Sequence, residues 1–153
     1  MIDPPQILEV DTVHTAVIRF TIPREEIRNV MGPAFGEVMQ VLGSQGIAPS
    51  GPLFSHHFRM DPAIFDFEVG APVATPVQAQ GRVVAAELPA GRVARTIYHG
   101  SYEGLGDAWG EFISWIEAEG LSTGPTLWEA YLTDPSSVPD PADYQTELTK
   151  PLI

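Results

Sequence analysis

The sequence predicts an α+β fold in which a strand–helix–strand–strand unit occurs twice, with antiparallel sheets and two long helices on one face. Three observations carry this. Two segments have apolar residues at helical spacing, the remaining apolar runs alternate with a period of two between Gly and Pro punctuation, and the order of elements repeats.

Val13–Phe20 alternates as a strand. A helix follows within Glu25–Gly43, where Phe35, Val38, Met39 and Leu42 form one stripe and Pro33 is placed at the first turn. Strand runs cover Leu53–Met60, Ile64–Val69, Arg82–Leu88 and Arg92–His99. The second helix lies within Gly104–Ala118, with Leu105, Trp109, Phe112, Ile113 and Ile116 on its stripe, and it stops at Gly120. The strand Leu127–Thr133 sits between turns at Gly124-Pro125 and Asp134-Pro135, and Tyr144–Thr149 closes the chain.

The repeat is visible in the residues themselves. GPAFGEVMQVLGSQGI from Gly32 aligns with GDAWGEFISWIEAEGL from Gly106, an offset of 74 residues with identical Gly, Ala, Gly, Glu and terminal Gly. Carried forward, that offset sets Trp128 on Phe54, Glu129 on Ser55 and Tyr131 on His57. The strands before the helices are aligned at 79, which sets Ile97 on Ile18 and Tyr98 on Arg19. The chain is read as one domain over 1–153, with repeat one about 10–74 and repeat two about 82–153. Paired about a pseudo-two-fold axis, the halves would leave a groove on the face opposite the helices.

Composition narrows the function. The 153 residues suffice for one core, and a formal charge of −12 with a pI near 4.5 leaves no basic footprint for nucleic acid. Lys150 is the only lysine. Cysteine is absent, which removes disulfides, thiol nucleophiles and zinc thiolates and agrees with a reducing, cytoplasmic compartment. The acidic, proline-bearing N-terminus is unlike a secretory leader, and no apolar run is long enough to span a bilayer. No cofactor motif is recognisable. Of the four histidines, His56 and His57 are adjacent on a strand and point to opposite faces, so they cannot chelate a metal together.

Glu129 is the residue that needs explaining. In LWEAYL, Trp128, Ala130 and Leu132 share a face read as core, while Glu129, Tyr131 and Thr133 share the other. A carboxylate among aromatics suffers desolvation unless paired. Two partners are open: a cationic ligand, or an internal base such as Arg19 or Arg59. Tyr131 and Tyr98 are placed to hydrogen-bond a ligand, Glu129 or backbone. Trp109 and Trp115 are at core spacing with Phe112, and Trp109 is also a candidate ligand contact.

The segments YHGSYEGLGDAWGEFISWI, GPTLWEAYLTDP and YQTELTKPL, with GPLFSHHFRMD and FDFEVGAPV in the first half, resemble the gyrase-inhibitor-like (GyrI-like) effector-binding domains found in AraC-type and MerR-type multidrug regulators. The resemblance implies the duplicated α+β fold, with a ligand in the groove between the halves. It implies that Glu129, the acid of the W-E-x-Y motif, faces a cationic or amphipathic aromatic ligand. Tyr131, Tyr98, His57, Ser55, Arg19 and Trp109 complete the expected lining, with His57 or His56 where the family has an aromatic hydroxyl. The sequence shows no helix-turn-helix, so a stand-alone binding domain is expected rather than a regulator. The same resemblance implies a second activity, hydrolysis of cyclopropane-bearing genotoxins, with Glu129 as general base and Tyr131 polarising a carbonyl. A third reading, by analogy with gyrase inhibition, is a protein-interaction module. Sheet edges left by the duplication allow pairing of two chains without requiring it.

Overall fold

The computed structural model describes residues 2–60, 63–133 and 137–153, the side chains of Arg28, Arg59 and Met60 excepted. The expected turn at Asp134-Pro135 and the Arg59 side chain therefore lie outside the described residues. Eight strands and two long helices occur among those described. In chain order they are β1 (Gln6–Val10), β2 (Val13–Pro23), α1 (Ile27–Ser44), β3 (Phe54–Met60) and β4 (Ile64–Pro72). These are followed by β5 (Val84–Leu88), β6 (Gly91–His99), α2 (Leu105–Ala118), β7 (Leu127–Tyr131) and β8 (Gln145–Pro151). The fold is α+β, and every described strand pairing is antiparallel.

The backbone divides into two compact units: Asp11–Ala90, and Gly91–Ile153 together with the N-terminal segment up to Val10. In the first, the strand order is β5-β2-β4-β3. Period-two alternation puts Ala16, Ile18 and Phe20 of β2 and Phe65, Phe67, Val69 and Ala71 of β4 against Ala34, Val38 and Leu42 of α1, all buried. Gly70 is obligatory in this sheet, because a Cβ there would lie 1.9 Å from the Ala16 carbonyl oxygen.

In the second unit the order is β1-β6-β8-β7. Ala94 and Tyr98 of β6 and Leu148 of β8 pack under Ala108, Phe112 and Ile116 of α2. Each unit thus covers one sheet face with one helix whose apolar stripe the sequence spells out. The helical offset of 74 matches buried positions in the two helices: Ala34 with Ala108, Val38 with Phe112, and Leu42 with Ile116.

Four expectations change. Strand β1 was not foreseen; it pairs along β6, with Leu8 opposite Val93. Pro33 lies inside α1, six residues past its start, so the helix lacks an interior N–H rather than an end one. Leu132 falls beyond β7 and is 39% exposed, so it is not core. Finally, the helix-preceding strands correspond at 78, not 79. Ala16, Ile18 and Phe20 are the helix-facing residues of β2, and Ala94, Thr96 and Tyr98 those of β6. A slip of one residue turns every side chain over, so Tyr98 corresponds to Phe20 and not to Arg19.

Among the described residues no helix is long and apolar enough to cross a membrane.

Candidate functional site

Strand β7 positions the central residue. Glu129 stands opposite Leu148 on β8, and Leu148 stands opposite Thr96 on β6. Since Leu148 packs under α2, Glu129 and Tyr131 lie on the helix-covered side of this sheet. This corrects the sequence-based expectation, which has them on the side away from the helices. Trp128 and Ala130 are on that other side, yet both are buried, at 3% and 7% exposure.

From above, α2 delivers Trp109. Its indole Nε1–H donates to Glu129 Oε1 at 2.6 Å, and the Tyr131 hydroxyl donates to Glu129 Oε2 at 2.9 Å. Both carboxylate oxygens are therefore held, and by neutral donors. Among the described residues no cationic side chain pairs with Glu129. Burial raises its carboxyl above the ordinary range, while the bonds from Trp109 and Tyr131 pull it back down. Of the two internal bases the sequence offered, Arg19 is committed elsewhere.

Further aromatic side chains adjoin the two donors. Trp109 tilts against Phe112, with ring centres 5.7 Å apart. Tyr131 meets Tyr102 edge-on at 5.9 Å, and Tyr102 in turn meets Tyr144 at 5.2 Å. Neither Tyr102 nor Tyr144 is among the sequence-predicted site residues: Tyr102 sits in a turn, where neither period applies, and Tyr144, read as the start of the closing strand, lies just before β8. Their one available signal is aromatic character in the HGSYEGLGD and PADYQ turns. Thr146, opposite Tyr131, contributes a buried hydroxyl without a hydrogen-bond partner.

Tyr98 shares this face, on the far side of Thr146, but its hydroxyl donates to the Ser101 carbonyl at 2.9 Å. The glycines of HGSYEGLGD make its seat: a Cβ at Gly104 would lie 2.2 Å from that hydroxyl oxygen, and Gly100 takes a φ of 148°. Lys150, two positions beyond Leu148 on β8, gives its ammonium to the Thr126 carbonyl at 3.0 Å, and burial lowers its pKa.

The remaining candidates belong to the first unit. Ser55 and His57 share the helix-covered side of β3, with Ser55 Oγ 3.0 Å from His57 Nε2 and the imidazole stacked on Phe67 at 5.2 Å. His57 Nδ1 is buried without a partner, and desolvation, reinforced by His56, lowers the ring's pKa to about 4. His56 points the other way, 3.3 Å from Glu68. Arg19 is on that same opposite side, bonded to both oxygens of Asp66 at 2.7 and 2.9 Å and lying 4.1 Å over the Phe58 ring. The structure thus brings Glu129, Tyr131 and Trp109 into one bonded group, leaves Tyr98 bonded to backbone, and turns Arg19 to the other face of its sheet. No cluster of three or more metal-ligating side chains forms among the described residues.

A model of the GyrI-like small molecule binding domain matches residues 3–153. The chain belongs to the GyrI-like family. The match spans both compact units, so the family domain is the pair of them and not either alone. No curated protein matches the chain. Among solved structures, it is similar to the C-terminal domain of EcmrR, with a TM-score of 0.85 at 18% identity, covering 98% of this chain and 97% of that one. It spans only 57% of the EcmrR chain seen in a DNA complex, at 19% identity and a TM-score of 0.84. It is similar to SAV2435 bound to tetraphenylphosphonium (TM-score 0.72, 10% identity, 99% and 94% covered). It is also similar to a hydrolase from Listeria innocua (TM-score 0.65, 13% identity, 97% and 91% covered). At these identities the likeness is one of fold.

Proposed function

We propose that this GyrI-like domain binds a small cationic aromatic or amphipathic molecule, with Glu129 as its counter-charge. One observation carries the reading: a carboxylate beside aromatic rings, held at both oxygens by neutral donors, with no cationic side chain to pair it among the described residues. Burying such a group without a counter-ion is costly, and a ligand cation removes the cost. Trp109, Tyr131, Tyr102 and Tyr144 add cation–π and stacking surface around it. SAV2435 with tetraphenylphosphonium supports the chemistry by fold likeness. In this reading Tyr98 and the Ser55–His57 pair shape the helix-covered faces rather than meet the charge.

Titration of tetraphenylphosphonium against the intrinsic fluorescence of the wild type and Glu129→Gln tests it. Saturable quenching in the wild type, lost in the variant while its circular dichroism is unchanged, supports the reading. Equal binding by both overturns Glu129 as the anchor. Product formation from a strained electrophile, abolished in Glu129→Gln, would instead establish the hydrolytic role with Glu129 as general base and Tyr131 as its partner.

A further inference from the structure

We infer that the ligand's positive charge is exchanged for a proton at Glu129, so that cation uptake releases one proton and the site is closed to cations by acid. This rests on the reading of Glu129 as the counter-charge.

The two donors to Glu129 differ in what they can do. Trp109 Nε1 can only donate, so Oε1 must remain an acceptor in either protonation state. Tyr131 is different: its hydroxyl can donate or accept across the same 2.9 Å. With Glu129 ionised, Tyr131 donates to Oε2. With Glu129 neutral, the proton sits on Oε2 and is donated to the Tyr131 oxygen. The Glu129–Tyr131 bond survives in both states without moving a heavy atom, so what changes at the carboxyl is the charge. Among the described residues no cationic side chain is bonded to Glu129. On β8, Lys150 is held by the Thr126 carbonyl, and Thr146 and Leu148 are uncharged. On β6, Tyr98 is held by the Ser101 carbonyl. From α2 the facing group is the neutral indole, and Tyr102 and Tyr144 approach through Tyr131. Burial then favours the acid form of the empty site. The exchange balances as carboxylic acid plus cation giving carboxylate–cation pair plus one proton to solvent.

The test uses tetraphenylphosphonium, whose charge does not titrate. Calorimetry at several pH values, each in two buffers of different ionisation enthalpy, counts protons released per ligand. Expected are a release approaching one at acid pH, falling to zero at alkaline pH, and an affinity that rises about tenfold per pH unit until Glu129 is ionised in the free protein. Trp109→Phe removes the donor that favours the carboxylate, so the midpoint of its affinity profile moves to higher pH, and this shift is read from the profile's shape and not from its alkaline plateau. Binding with no proton release and no pH dependence overturns the inference and leaves the reading of Glu129 intact. Absence of binding even at alkaline pH overturns both.

Discussion

The indole nitrogen of Trp109 lies 2.6 Å from Oε1 of Glu129, which ties α2 to β7 through the chain's candidate anchor. The bond joins a helix residue to a strand residue twenty positions later, so the packing of α2 and the presentation of the carboxylate are one feature. Replacing Trp109 by Phe keeps an aromatic ring beside Phe112 and deletes the bond. We expect a loss of about 1–2 kcal/mol in unfolding free energy by denaturant titration, the ordinary net worth of such a bond with some packing added. A change near zero would mean that water replaces the indole without cost.

Glu129→Gln should have an effect on stability that depends on pH. A carboxyl whose folded-state pKa is raised above its unfolded value contributes stability that is fully present below the unfolded value, near 4.5, and lost as pH rises through the folded one. Gln carries no such term. Relative to the variant, the wild type should therefore weaken as pH is raised from 4.5 toward 8. Parallel urea curves for the two proteins across that range provide the check; a constant difference would remove the strain attributed to the ionised form.

His57 has the opposite sign. Its folded pKa of about 4 lies below the unfolded 6.5, so its neutral ring contributes stability above 6.5 that is lost as pH falls through about 4. The full effect is on the order of 3 kcal/mol. His57→Gln should flatten the wild type's decline between pH 6.5 and 4, read as the difference between paired thermal or denaturant melts. It should leave the slope above pH 7 alone.

How much of this was readable beforehand follows from what each pattern encodes. The helices were, because an apolar stripe at Leu105, Phe112 and Ile116 has one burial solution, and the offset of 74 aligns it with Val38 and Leu42. The strand pairing of the repeat was misread by one residue. Ile18 and Ile97 are identical, but Ile18 faces its helix and Ile97 does not, so identity competed with facing and misled. Alternation separated Glu129 from Trp128 correctly but could not say which of them meets α2, since Ala130 and Trp128 are as buried as residues on the helix side. Strand β1 depends on a partner some eighty residues away, Val93 for Leu8, and a five-residue run after two prolines does not announce that. The carboxylate and its tyrosine were visible in W-E-x-Y; the rings contributed by turns were not.

Gly70→Ala should be among the most damaging single substitutions. The added Cβ would meet the Ala16 carbonyl oxygen at 1.9 Å and a Val17 methyl carbon at 2.8 Å, so β2 and β4 must separate. A loss of more than about 3 kcal/mol is expected from the combined overpacking and ladder disruption. Gly36→Ala makes the control: its Cβ meets nothing within 4 Å, and an exposed helix interior should gain roughly 0.5–1 kcal/mol. Thermal melts of the two variants should therefore move in opposite directions.

Tyr102 separates binding from stability. It is 40% exposed, lies in the turn before α2, and touches Tyr131 and Tyr144 by ring contacts. Truncating it to Ala removes little buried surface, so unfolding free energy should change by less than about 1 kcal/mol. If the aromatic group around Glu129 receives a cation, the same truncation removes one stacking face from the ligand. A contact of that kind is worth about 0.5–2 kcal/mol, which is roughly two- to thirty-fold in affinity for tetraphenylphosphonium. Tyr102→Phe keeps the ring and should bind as the wild type does. Loss of affinity in both variants would assign the effect to the hydroxyl, and loss in neither would place the ligand away from this ring. The pattern expected is Ala weakened, Phe unchanged, and both as stable as the parent.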